Sequence, residues 1–109
     1  MTFERGQIVW VDFNPQKGHE QAGRRPALVI SPSAYNLVSN CMLVCPITSN
    51  LSPWPWKVVV EGSSQITGTV LVDQIKSIDV KALAVETSGE AVPSHVLDNI
   101  MARLATLVS

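Results

Sequence analysis

Along "GQIVWVDF", Ile8, Trp10 and Asp12 fall on one side of a strict alternation and Val9, Val11 and Phe13 on the other. A period of two is the mark of a β-strand. Asn14-Pro15 ends it, and a polar, glycine-containing connection of about a dozen residues runs on to Arg25, a length at which an unstructured loop is more often functional than not. "PALVIS" is apolar at successive positions and belongs inside a sheet or barrel. A short turn or 3₁₀ segment at "PSAYN" leads into "CMLVCPIT", a strand that Pro46, lacking an N–H, confines to an edge or bulge. The prolines of "SNLSPWPW" force extended geometry and leave Trp54 and Trp56 in or beside a loop. "KVVVE", "GTVLVDQI" and "ALAVET" read as further short strands. Near the C-terminus the period changes: Val96, Leu97, Ile100, Met101, Leu104, Leu107 and Val108 follow helical spacing, with Pro93 and Ser94 at its start. The pattern predicts a mainly β chain, a small, partly open barrel closed by one C-terminal helix, and leaves the strand order undetermined.

The 109 residues suit one core, so a single domain over 1–109 is expected. The longest apolar run, around "CMLVCPI", falls far short of a membrane span, and no leader pattern opens the chain; the expectation is a cytoplasmic protein without a membrane partner. Cys41 and Cys45 are four residues apart on a strand, roughly 13 Å, too far for a disulfide or a shared metal ion. Both are expected as buried apolar groups on one strand face. No metal site and no cofactor is expected. A net charge of −1 argues against a non-specific coat on nucleic acid, so any phosphate site must be local.

One such locality exists. Lys17, Arg24 and Arg25, three of the eight cationic side chains, lie within nine residues and share their loop with His19 and Glu20. Arginine's planar fork of donors suits phosphate oxygens, and histidine exchanges a proton near neutral pH. A solvated loop in which Glu20 pairs with an arginine accounts for the same residues. Thr48 and Ser49 end the third strand, where hydroxyls can donate to an anion or bond a turn. Asp73 is either a strand-end carboxylate bonding an amide or a charge facing a site. Trp54 and Trp56 can stack on unpaired bases or cap a core.

In order along the chain, "GQIVWVDFNPQKGHEQAGRRPALVISPSAYN", "VCPITS" and "GTVLVDQIKSID" resemble the MazF/PemK/Kid toxin endoribonucleases of bacterial toxin–antitoxin systems. The most specific part is G-x-E-Q-x-G-x-R-P, here Gly18, Glu20, Gln21, Gly23, Arg25 and Pro26, followed by a strand and a P-x-T-[ST] element. The resemblance implies an SH3-like barrel of the CcdB/Kid/MazF type, working as a homodimer that cuts single-stranded RNA at short sequences without a metal. It carries the family's catalytic arginine and threonine onto Arg25 and Thr48, and it implies a MazE-like antitoxin whose acidic tail folds along the toxin dimer.

The implied chemistry is attack by the neighbouring 2′-hydroxyl. Arg25 suits the anionic phosphorane, and Thr48 adds a second donor. His19, Glu20 and Asp73 are the candidate bases, and only the imidazole has an ordinary pKa in the working range. Lys17, Arg24, Ser49, Trp54, Trp56, Asp73 and Gln74 are candidate RNA contacts. One departure stands out: in the Kid branch an arginine stands two residues before the aspartate of the D-Q pair, where this chain has Leu71, which points to the MazF branch and leaves Asp73 at best a positioning residue. Two alternatives stand beside it: a CcdB-like poison of DNA gyrase with the same fold, and a small barrel that binds nucleic acid or peptide without cutting.

Overall fold

The computed structural model describes residues 2–13, 23–61 and 65–109. Among the described residues, seven strands, β1 (Gln7–Asp12), β2 (Arg24–Val29), β3 (Cys41–Thr48), β4 (Lys57–Val59), β5 (Thr69–Leu71), β6 (Lys76–Asp79) and β7 (Glu86–Ala91), are joined by a short helix α1 (Ser33–Ser39) and a 3₁₀ turn (Val72–Gln74), and end in helix α2 (Ser94–Val108). The strands run β4-β5-β3-β2-β1-β7, with β6 also on β3, and every pairing is antiparallel. This is the mainly β architecture with a C-terminal helix that the pattern predicts.

The alternation in β1 and the double-sided apolarity of β2 have one cause: the central strands feed two cores. Ile8, Leu28, Cys45 and Ile47 join Val58, Val70 and Val72 and the helical residues Val96, Ile100 and Leu104. Val9, Val11, Ala27, Val29, Met42 and Val44 join Phe3 and Ile78 on the other side, with Phe13, Leu83 and Val85 packed against them. Helix α2 seats its i, i+4, i+8 stripe on the first core, and Leu107 and Val108 remain exposed.

Strand β3 departs from expectation in an instructive way. Pro46 places it neither at an edge nor in a bulge: β3 is central, pairing with β2 on one side and with β6, then β5, on the other. Leu43 turns both of its backbone groups toward the β2 side, its carbonyl accepting from Ile30 N–H at 2.8 Å and its N–H donating to Ser31 Oγ at 2.9 Å. Backbone groups alternate along an antiparallel strand, so Pro46 directs its nitrogen to the opposite side. There β6 pairs with Cys41–Val44 and β5 with Ile47 and Thr48, and Pro46 falls in the gap between them. The missing N–H sits where no strand asks for it.

Three further expectations are corrected. "PSAYN" opens a seven-residue α-helix, stopped by Asn40 at φ 59°. Its anchor is tertiary: buried Asn36 donates to the carbonyls of Phe3 (2.9 Å) and Ser31 (3.1 Å) and accepts from Ser31 Oγ. "ALAVET" is mostly a turn, with Ala84 at positive φ, and the strand begins only at Glu86. Strand β6 carries a single buried side chain, Ile78, and has no pattern to announce it. Cys41 is only partly buried, whereas Cys45 is enclosed; both are free.

Gly68 brings β5 close to the end of β3. At φ 136° it holds a conformation that side chains rarely adopt, and a Cβ there would lie 2.3 Å from the Thr48 carbonyl oxygen. Gly68→Ala should therefore destabilise the fold by roughly 1–3 kcal/mol from the backbone alone, more with the clash, as read from the urea midpoint. Ile100→Ala, which empties the fully buried middle of the α2 stripe, should cost about 2–5 kcal/mol in the same measurement.

Candidate active site

The β2–β3 ladder pairs Val29 with Val44, Leu28 with Cys45 and Ala27 with Pro46. Two residues further along each strand the same register brings Arg25 across from Thr48, but the ladder has stopped. There β2 stays with β1, Val11 facing Arg25, while β3 goes over to β5, Ile47 facing Val70 and Thr48 facing Thr69. The two strands diverge, and the wedge between them opens into a groove of about 710 Å³.

The groove gathers Arg24, Arg25, Thr48, Ser49 and Gln74. Arg25 is exposed, and among the described residues its side chain has neither a hydrogen bond nor an ion pair. Thr48 is partly buried; its Oγ1 accepts the Asn50 N–H at 3.2 Å, which fixes the side chain and leaves its own hydroxyl proton to donate. Gln74 ends the 3₁₀ turn and is exposed. Arg24 is engaged: its Nη2 lies 3.3 Å from Glu86 Oε2 on β7. Lys17, His19 and Glu20 lie outside the described residues, as do Gly18 and Gln21 of the motif.

The remaining expected contacts stand elsewhere. Asp73 is not on the groove wall; it accepts the Trp54 indole N–H at 3.0 Å, and Trp54 is half-exposed. Trp56 packs against the first core and donates its N–H to Thr106 Oγ1 at 3.0 Å. The two rings stand 5.5 Å apart, tilted by 54°. With Arg103 donating to the Pro55 carbonyl, these bonds tie the proline-tryptophan loop to α2 and the 3₁₀ turn. Trp56 thus fills the core-capping role, and Trp54 presents the exposed face. Cys45, behind the 3₁₀ turn, has its thiol pushed up to about 12 by burial first and by the Asp73 charge second, so it stays a neutral packing group.

Sequence reasoning missed Lys76, Phe13 and Trp10, which also line the groove. The Lys76 ammonium sits 5.0 Å from the centre of the Phe13 ring, close enough for a cation–π contact. Lys76 faces Val44 in the β6–β3 pairing, and an unpatterned strand hides such a residue. Leu71 lines the groove too, so the wall is apolar where the Kid branch has its arginine. Among the described residues, no three His, Cys, Asp or Glu side chains cluster as metal ligands would.

Proteins of known kind share both sequence and shape with this chain. The family model described as the PemK-like, MazF-like toxin of type II toxin–antitoxin systems matches residues 4–108. The endoribonuclease toxin MazF of Escherichia coli K12 is 39% identical over 105 residues, 96% of this chain and 93% of that protein. The Escherichia coli endoribonuclease PemK is 36% identical over 97% of this chain and 82% of its own length. The crystal structure of MazF from Deinococcus radiodurans superposes with a TM-score of 0.85 at 39% identity, covering 99% of this chain and 97% of that one. A MazE–MazF complex from the same organism gives 0.86 at 33% identity over 100% and 97%. With the match running from the first strand through α2, and the motif's Arg25 and the P-x-T threonine meeting at one groove, this chain belongs to the PemK-like, MazF-like toxins of type II toxin–antitoxin systems.

Proposed function

We propose that this toxin is an endoribonuclease that cuts single-stranded RNA in the groove between the diverging ends of β2 and β3, with Arg25 and Thr48 at the cut. The observation that carries the reading is the placement of those two residues at opposed register positions on one groove, the Arg25 side chain with no partner among the described residues and Thr48 with its proton free to donate. The relatives named as endoribonucleases support the activity. They also favour it over gyrase poisoning and over binding without cutting.

In the reaction, the 2′-oxygen beside the scissile phosphate bonds to phosphorus as the bond to the 5′-oxygen breaks. A proton leaves the 2′-hydroxyl and another reaches the departing 5′-oxygen. The products are a 2′,3′-cyclic phosphate and a 5′-hydroxyl. Arg25 stabilises the charge that develops on the non-bridging oxygens, and Thr48 donates to the same oxygens. A guanidinium offers donors and no acceptor, so the base is another group. The described residues of the groove wall include no carboxylate or imidazole, and His19 or Glu20, in the segment before Arg25, is the proposed base. Lys17, Arg24, Ser49 and Gln74 serve as RNA contacts, joined by Lys76 and Phe13, while Trp54 and Asp73 serve together at the rim.

The whole chain acts as one toxin domain, as a homodimer, restrained by a MazE-like antitoxin whose acidic segments compete with RNA phosphates for the groove's cations. No helix of the described residues is long and apolar enough to cross a membrane, and the cytoplasm, where messenger RNA is exposed, is the proposed compartment.

Arg25→Ala should lower cleavage about a hundredfold or more, the scale of one lost transition-state donor, with the thermal midpoint unchanged. Thr48→Val keeps the shape, deletes the donor, and should also be impaired. Wild-type cleavage rates from both purified variants would remove these residues from the site. Because the nucleophile belongs to the RNA, cutting should persist in excess chelator and stop when the 2′-hydroxyl at the cut is replaced by hydrogen, as read by gel analysis of end-labelled product. A requirement for magnesium, or efficient cutting of the all-deoxy strand, would contradict the mechanism.

A further inference from the structure

The three described cations of the groove keep different company. Arg25 has no partner among the described residues, Lys76 lies over Phe13, and Arg24 faces an acid, its Nη2 3.3 Å from Glu86 Oε2. The Arg24 and Glu86 side chains are 32% and 66% exposed. They reach each other across β1, where Arg24 stands opposite Asp12 and Glu86 opposite Trp10. Glu86 opens β7, a strand with no fully buried side chain, so core packing requires no acid there.

We propose that Glu86 is a positioning residue that competes with RNA phosphate for Arg24 and so sets how tightly the toxin holds single-stranded RNA. The inference rests on the groove being the RNA site. A phosphate oxygen that reaches Arg24 must displace the Glu86 carboxylate, and it then lies near a negative charge that has lost its partner. The pair is exposed, so the exchange is inexpensive: about a two- to fivefold loss of affinity, the scale of a surface ion pair. The loss falls on every RNA alike, because phosphates carry no sequence information, and binding then leans more on contacts to bases.

The test is direct binding, by fluorescence anisotropy, of a mixed-sequence single-stranded 2′-O-methyl oligonucleotide that cannot be cleaved. Glu86→Gln should tighten binding about two- to fivefold at low salt, and the gain should shrink as salt rises. Glu90→Gln changes the net charge equally on the same strand and should gain less. In an Arg24→Ala background, Glu86→Gln should gain nothing. Binding that is unchanged or weaker in Glu86→Gln overturns the inference, as does a gain matched by Glu90→Gln or kept without Arg24. A wild-type protein that binds no RNA overturns the nuclease reading and this inference together. Wild-type binding with no response to Glu86→Gln overturns the inference alone.

Discussion

Strand β3 cannot stay bonded to a single neighbour along its whole length on the side away from β2, because Pro46 offers no N–H there. One partner, β6, covers the first half of the strand and another, β5, the second. Once β3 has turned to β5, its end no longer follows β2, which remains on β1. The wedge that opens is the groove. The positive φ of Gly68 completes the handover by letting β5 approach the Thr48 carbonyl more closely than a side chain would allow. A proline and a glycine thereby decide where the ends of β2 and β3 part.

Rigidity at the site follows from the same arrangement. Arg25 and Thr48 project from strand ends that lead inward, past the partly buried Pro26 and Pro46, to buried Ala27 and Leu28 on one side and Cys45 on the other, with Ile47 buried beside Thr48. Two packed cores therefore hold the backbone beneath both. The cations differ in what they must give up. Arg25 has no described partner to leave, whereas Arg24 must part from Glu86.

The neighbourhood of the 3₁₀ turn shows how one carboxylate can be drawn away from a site. Asp73 stands next to Gln74, which lines the groove, yet its own charge is spent on the indole of Trp54. Leu71, two residues before Asp73, lines the groove with an apolar side chain beside Gln74.

The amino-acid sequence by itself determined the parts whose side chains must satisfy a core or a motif. The alternation of β1, the unbroken apolarity of "PALV" and the helical stripe Val96-Ile100-Leu104 are each dictated by burial, which leaves a period in the sequence. The order R-P, strand, P-x-T-S singles out Arg25 and Thr48 without reference to any contact. Only the tertiary structure decided the rest. Strands β6 and β7 exist through backbone pairing to β3 and β1, which leaves almost no side-chain pattern, and α1 is held by Asn36 reaching the distant Phe3 carbonyl. The pairing of Arg24 with Glu86, the place of Lys76 over Phe13 and the bond from Trp54 to Asp73 join residues far apart in the chain. Local propensity cannot encode such meetings; they arise where strands cross, diverge and return, and that geometry belongs to the folded sheet as a whole.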